Sequence, residues 1–194
     1  SYSFSSTISA MGYSSIDPNN RYVLTTNGNF YHSSNDGHDW QISSDFEGPG
    51  AHYFYGSTIW SSQNTPGKLI IGGSGYSNPP VYISYNHGES FVPLNEGLPN
   101  TLVFELAGTP DDAYFFAATE VGAYVFIAED ATWTDLAGIS APDQTYWSVE
   151  YIPELNTARF GTYGRGIWDF IIDDAVDIAG DINFDETVNI QDVI

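Results

Sequence analysis

Oxygen-bearing side chains close this chain at the spacing of a calcium loop. Counting from Asp181, they fall at the first, third, fifth, ninth and twelfth positions as Asp181, Asn183, Asp185, Asn189 and Asp192. Thr187 takes the seventh place, where such a loop turns a backbone carbonyl toward the ion. A hard dication demands this kind of all-oxygen cage, so the expected cofactor is Ca2+. One residue works against high affinity. Glu186 occupies the sixth place, where glycine usually permits the sharp bend, and a side chain at positive φ costs about 1 kcal/mol. Only Val193 and Ile194 follow in the sequence given, so the expectation is a truncated loop that binds weakly.

Elsewhere the chemistry is thinner. Glycoside hydrolysis needs two carboxyl groups ~5–10 Å apart across a cleft. Glu105, Asp143 and Glu150 are the acids on inner or cleft-facing segments, yet nothing in their local sequence sets them apart, and no catalytic residue is assigned. Arg21 and Arg159 read as one repeat position just ahead of a second strand, and Arg165 sits in a hairpin. His32, His38, His52 and His87 show no metal spacing, with His38 and His87 expected as exposed turn residues. Tyr53, Phe54, Tyr55, Trp60, Tyr146 and Trp147 offer aromatic faces to sugar rings or a protein partner, or else fill the core. The absence of cysteine excludes disulfides, zinc–thiolate sites and thiol catalysis.

Charge narrows the partners further. With 25 acids against 4 bases, a formal −21, the chain is repelled by phosphate backbones and anionic membranes. Eight of the 25 acids lie between Asp169 and Asp192, which concentrates negative charge where the calcium loop sits. No apolar run approaches the ~18–20 residues that span a bilayer.

The elements that must position these residues are short strands. Aromatics (14 Tyr, 12 Phe and 5 Trp), 19 Gly and 10 Pro favour strands joined by tight turns. One turn is written twice, as Ser33-Ser34-Asn35-Asp36-Gly37-His38-Asp39-Trp40 and Ser84-Tyr85-Asn86-His87-Gly88-Glu89-Ser90-Phe91. Asn and Gly tolerate left-handed backbone angles, Ser and Asn side chains bond amides within the turn, and the closing aromatic packs it onto the sheet. The structural set is thus Ser33, Asn35, Gly37, Trp40, Ser84, Asn86, Gly88 and Phe91. A third copy has decayed to Glu129-Asp130-Ala131-Thr132-Trp133, and a fourth unit runs from Pro153 through Thr157–Thr162 to Ile167–Phe170 without a clear outermost strand. His32, Ile83, Phe126 and Phe170 align 51, 43 and 44 residues apart, a period that marks the blades of a β-propeller. Ile8–Tyr13 and Tyr146–Tyr151 are expected to line the central channel.

The two complete boxes resemble the Asp-box (BNR) repeats of bacterial sialidases, sortilin-type receptors, xyloglucan-cleaving glycoside hydrolases and photosystem assembly factors. Thr162-Tyr163-Gly164-Arg165-Gly166-Ile167-Trp168 resembles the closing blade of secreted propellers in this group. The resemblance covers roughly residues 6 to 171 and implies a fold rather than an activity. Sialidases of this fold clamp a substrate carboxylate with three Arg, and the arginines here do not match that pattern. From Gly180 the tail resembles the first half of a type I dockerin, which normally has two such loops.

The expected architecture is all-β. Propeller blades occupy 1–172, an acidic linker 173–180 and a truncated dockerin-like calcium loop 181–194, with the blades forming the C-terminal part of a larger propeller. The expected function is a secreted or cell-surface module that binds polysaccharide or protein, its partners including missing blades or copies of itself. The alternatives are the C-terminal part of a xyloglucanase-like hydrolase and a structural subunit of an extracellular assembly.

Overall fold

The computed structural model describes residues 2–43, 46, 58–76, 78–136 and 141–172. These fold into four antiparallel sheets, each a meander in which consecutive strands pair. The first blade holds β1 (Ile8–Tyr13), β2 (Arg21–Thr25), β3 (Phe30–Ser33) and β4 (Gln41–Ile42). The second holds β5 (Thr58–Ser61), β6 (Leu69–Gly72), β7 (Val81–Ser84) and β8 (Val92–Pro93). The third holds β9 (Val103–Gly108), β10 (Tyr114–Thr119), β11 (Ala123–Ile127) and β12 (Thr132–Asp135). The fourth has three strands among the described residues: β13 (Tyr146–Ile152), β14 (Thr157–Thr162) and β15 (Ile167–Ile171). This is a propeller arrangement of four blades.

Inner strands stand side by side, β1 against β5, β5 against β9 and β9 against β13. No comparable contact among the described elements returns from β13 to β1, so the blades form an open arc. Three aromatic-rich cores fill the junctions. Tyr22, Leu24 and Phe30 of the first blade meet Leu69, Ile71 and Tyr82 of the second. Ile70, Val81 and Ile83 of the second meet Phe115, Tyr124, Phe126 and Trp133 of the third. Phe116, Ala118 and Val125 of the third meet Tyr146, Val149 and Phe160 of the fourth. Burying each such large side chain contributes about 1.5–3 kcal/mol, so the junctions carry the fold.

A repeated threonine sets the true register between blades. Thr25, Thr119 and Thr162 each end a second strand and donate Oγ1 across the hairpin, to Asn29 O at 3.1 Å, Gly122 O at 2.7 Å and Gly166 O at 2.8 Å. Counting back from them aligns Tyr22, Phe116 and Arg159, whose cross-strand partners are His32, Val125 and Asp169. The shared box serine likewise aligns Tyr22 with Ile70, whose partner is Ile83. The equivalent points are therefore His32, Ile83, Val125 and Asp169. The alignment on Phe126 and Phe170 slips by one residue, and in a strand a slip of one moves a side chain to the opposite face. Arg21 and Arg159 are likewise not one repeat position. Arg21 opens β2, whereas Arg159 lies in mid-strand opposite Asp169.

A buried polar cluster ties the second and third blades together beyond their apolar core. Asp112, in the β9–β10 turn, accepts Ser62 Oγ at 2.8 and 2.9 Å and Thr65 Oγ1 at 2.9 Å, all from the second blade. Lys68 Nζ reaches the same carboxylate at 3.2 Å and lies 4.9 Å from the centre of the Phe115 ring. At the start of the arc, Tyr2 and Phe4 pack edge-on against Tyr31, covering part of the face that the first blade turns away from the second.

Candidate functional site

The two boxes are the same network, bond for bond. Ser33 Oγ accepts the amide of Gly37 at 2.9 Å and donates to Asn35 Oδ1 at 3.0 Å, which in turn accepts the amide of Asp39 at 2.9 Å. Ser84 Oγ accepts Gly88 N at 2.8 Å and donates to Asn86 Oδ1 at 2.9 Å, which accepts Ser90 N at 3.0 Å. The left-handed residues are Asp36 with Gly37 and His87 with Gly88, not the asparagines. Asparagine serves instead as the acceptor that holds the turn closed. Trp40 Nε1 donates to Gly37 O at 3.1 Å, while Phe91 packs edge-on against Phe30 of the first blade, 4.9 Å between ring centres. These polar groups are spent inside the turns, so the boxes are structural hairpins. They lie beside the first turn of each blade, as Asp36 N to Asn19 O and His87 N to Gly67 O show.

The opposite rim, where inner strands begin, is chemically more open. Three inner strands carry a β-bulge at one equivalent position, facing Thr25, Thr119 and Thr162. Ile8 pairs with Thr25 and Ala10 with Leu24, leaving Ser9 extra. Val103 pairs with Thr119 and Glu105 with Ala118, leaving Phe104 extra. Tyr146 pairs with Thr162 and Ser148 with Gly161, leaving Trp147 extra. A bulge releases a residue from the ladder and re-aims its side chain. Here it brings Phe104 and Trp147 face to face, ring centres 4.1 Å apart and tilted by 34°. Tyr163 extends the cluster 6.3 Å beyond Trp147 from a hairpin shaped by Gly164 and Gly166 at positive φ. Trp147 is 49% and Tyr163 79% exposed, so the rings form an aromatic platform open to solvent.

Of the other aromatic candidates, Trp60 packs on Phe115 at 5.2 Å and against the second–third core. Tyr146 is fully buried, its hydroxyl donating to Pro142 O at 3.0 Å and its pKa pushed up to about 12 by burial. Tyr146 is therefore a core residue, while Trp60 is half-buried against its junction. Tyr53, Phe54, Tyr55 and His52 lie outside the described residues. So do Asp181, Asn183, Asp185, Thr187, Asn189 and Asp192. Phe104 and Tyr163 were not singled out from sequence. Tyr163 has a legible signal, an aromatic beside a Gly-x-Gly hairpin tip, but the bulge that exposes Phe104 has none.

The three acids separate. Glu105 and Glu150 line one hollow of about 410 Å³ on the fourth blade with Ser148, Arg159, Gly161 and Ile167. Asp143 is exposed in the loop before β13. Glu105 is half-buried, and burial raises its pKa; the Val149 amide, donating to Oε2 at 3.0 Å, opposes that shift and Glu150 adds to it. Arg159 is held bidentately by Asp169, at 2.7 Å from both Nε and Nη2, and Arg21 pairs with Asp36 on the first blade. The arginines therefore do not converge on one anion site.

His87 differs from the exposed turn residue expected. Rather than standing free in its turn, it stacks on His32 with ring centres 5.4 Å apart at 9°, and its Nδ1 shares a hydrogen bond with Tyr22 Oη at 2.9 Å. His32 Nε2 bonds Asn20 Oδ1 at 2.7 Å. His38 is exposed. Among the described residues no group of three His, Asp or Glu side chains is placed to hold a metal ion, and no helix is long and apolar enough to cross a membrane.

No family model and no curated protein sequence matches the chain. Solved structures do match in shape. An ancestral GH74 enzyme superposes with a TM-score of 0.71 at 15% identity, over 87% of this chain and 26% of its own length. A GH74 enzyme from Niastella koreensis gives 0.63 at 17% identity, over 79% of this chain and 26% of its own. The extracellular domain of a one-component system from B. thetaiotaomicron gives 0.64 at 16%, over 84% of this chain and 21% of its own. The chain thus spans about a quarter of the length of these proteins. At such identities the shared property is the fold, and the three relatives agree with the blade arrangement built above from register and packing.

Proposed function

We propose that the chain is a secreted or cell-surface propeller module that binds polysaccharide through the platform of Phe104, Trp147 and Tyr163. The observation that carries this reading is the solvent-open contact between Phe104 and Trp147, each the extra residue of a bulge on its inner strand. Stacking against a sugar ring is the use such faces suit, because pyranose C–H faces bury apolar area while hydroxyls stay wet. The acidic surface favours neutral glycans over anionic ones. The folds of the structural relatives, two of them GH74 enzymes and one an extracellular domain, support a carbohydrate-related setting outside the cell. In the same reading residues 1–172 are the blades, 173–180 a linker and 181–194 a calcium loop that holds Ca2+ weakly.

Affinity electrophoresis against a panel of neutral and anionic soluble polysaccharides tests the proposal. Trp147→Ala should weaken binding to a neutral polysaccharide roughly tenfold. Covering the exposed half of an indole removes on the order of 100 Å² from water at ~25 cal/mol/Å², of which about half is realised. Unchanged binding by that variant, with circular dichroism intact, refutes it.

A second reading rests on Glu105 and Glu150 sharing one hollow. It makes the chain part of a polysaccharide-degrading hydrolase, with Glu105 as the acid. Release of reducing ends, abolished by Glu105→Gln, would favour it over the binding module.

A further inference from the structure

The fourth blade turns an incomplete junction toward solvent, and the earlier junctions show what completes it. At the second junction, Thr58 Oγ1 on β5 accepts the amide of Leu106 on β9 at 3.2 Å. At the third, Glu105 Oε2 on β9 accepts the amide of Val149 on β13 at 3.0 Å. Thr58, Glu105 and Ser148 are one repeat position, each the inner-strand partner of the residue before the hairpin: Gly72, Ala118 and Gly161. Each acceptor reaches the inner strand of the next blade. Ser148 stands exposed at the same place on β13 with no such strand among the described residues.

The floor beneath the acceptor is glycine on the second and fourth blades, with Ala118 at that place on the third. Gly72 leaves room for Val103 and Leu106 of β9, whose methyls lie 2.8 and 3.0 Å from where its Cβ would be. Gly161 has the equivalent place. A Cβ there would meet the Ser148 side chain and no residue of another blade. Above it opens the hollow of about 410 Å³, with Ile167 at its edge 69% exposed. Farther out the face changes character. Where Ile70 and Ile83 present apolar side chains to the third blade, Arg159 and Asp169 form their ion pair. The other end of the arc does not offer the matching surface, because Tyr2 and Phe4 already lie over Tyr31.

We infer that this face is a docking site for an extended β-strand of a partner polypeptide, seated as β9 is seated on the second blade. The strand's chemistry follows from the socket. It carries two aliphatic side chains in the places of Val103 and Leu106, over Gly161, and turns the amide of the second toward Ser148 Oγ. Beyond the strand, polar groups meet Arg159 and Asp169. A second copy using its first blade is disfavoured by its own Tyr2 and Phe4.

The test uses the isotope-labelled full chain and a synthetic peptide of sequence 102–108, the β9 strand, followed by amide NMR shifts. The sockets on the second and third blades are filled, so only the fourth can respond. The expected result is saturable shifts at Ser148, Glu150, Gly161 and Ile167. Methylating the peptide amide at the Leu106 position should weaken binding about fivefold, and Ser148→Ala should do the same without adding to it. Gly161→Val should abolish the shifts; Ile167→Asp, at an exposed position that leaves the fold alone, should weaken binding as well. Absence of shifts on this face at millimolar peptide overturns the inference. So does binding that ignores the N-methyl group or Ile167→Asp. Concentration-dependent dimers that exclude the peptide would also overturn it, by making a second copy the occupant.

Discussion

Asp112 is the residue whose loss should be felt most across a blade junction. Its carboxylate is almost fully buried, with 5% of the side chain exposed, and Lys68 opposite it has 13%. It accepts Ser62 Oγ, Thr65 Oγ1 and Lys68 Nζ, all from the neighbouring blade, while its own backbone sits at φ 65. Asp112→Ala removes the acceptor for two hydroxyls and strands an ammonium in a site that water barely enters. Breaking a buried pair from one side costs about 3–5 kcal/mol, and alanine at positive φ adds about 1 kcal/mol. Asp112→Asn keeps one acceptor oxygen and a residue that tolerates the left-handed region, so it should cost about half as much. The absolute scale matters: a domain stable by ~5–15 kcal/mol would lose a third or more to the alanine variant.

Urea denaturation followed by tryptophan fluorescence measures both costs, and Lys68→Met supplies the control. Methionine keeps an apolar stem over Phe115 and removes the ammonium, but by itself it leaves the buried Asp112 carboxylate without its cation, so only the double variant is free of a stranded charge. Asp112→Asn combined with Lys68→Met should therefore be less damaging than the two single losses added together, by 1 kcal/mol or more. If the alanine and asparagine variants lie within 0.5 kcal/mol of each other, or the double variant is simply additive, then charge pairing does not hold this junction.

Other consequences are equally direct. Gly88→Ala should cost far more than Gly37→Ala in thermal melts, although both glycines sit at φ 84. A methyl on Gly88 would fall 2.0 Å from the Phe30 ring, whereas on Gly37 it would have 3.5 Å to Trp40. The first–second junction should weaken in acid. Burial, then the charge of His87, lowers the pKa of His32, while Glu89 opposes the shift. A lowered histidine leaves the folded state with fewer protons than the unfolded one, so stability falls as pH drops through ~6.5 toward the folded value. Across that window His32→Gln should flatten the pH dependence of the urea midpoint relative to the parent. For the proposed calcium loop, isothermal titration should show Ca2+ uptake that Asp181→Ala removes, and an unchanged isotherm would reject the loop.

Local turn chemistry explains why so much of the fold was legible before the structure. Ser33, Asn35 and Gly37, or Ser84, Asn86 and Gly88, form their network with atoms a few residues away, so reading the letters is nearly reading the bonds. The strands that flank them follow by alternation. What pairs with what across a junction is a different kind of fact. Phe126 and Phe170 match His32 and Ile83 by position count and by size, yet they point the other way, because side chains alternate and one residue of slippage reverses them. No residue type announces that slip. The repeated threonine does, but only once its hydroxyl is seen to reach the same carbonyl three times.

The candidate site turns on the same limitation. Tyr146 and Trp147 are neighbours of similar character, and alternation alone would send one in and one out without saying where the second goes. The bulge decides it. By giving the fourth blade's inner strand one residue more than its partner can pair, it buries Tyr146 in the third–fourth core and sets Trp147 against Phe104, itself the extra residue of the strand before. Three inner strands share the bulge at one point, with Ser9 at it on β1, so the bulge belongs to the blade and the aromatics placed on it in β9 and β13 are what distinguish this face. The single Phe104–Trp147 pair, with Trp147 held half in water, offers apolar area that a ligand from outside the protein can cover. That is why the Trp147→Ala measurement on polysaccharide binding weighs more than any comparison of folds.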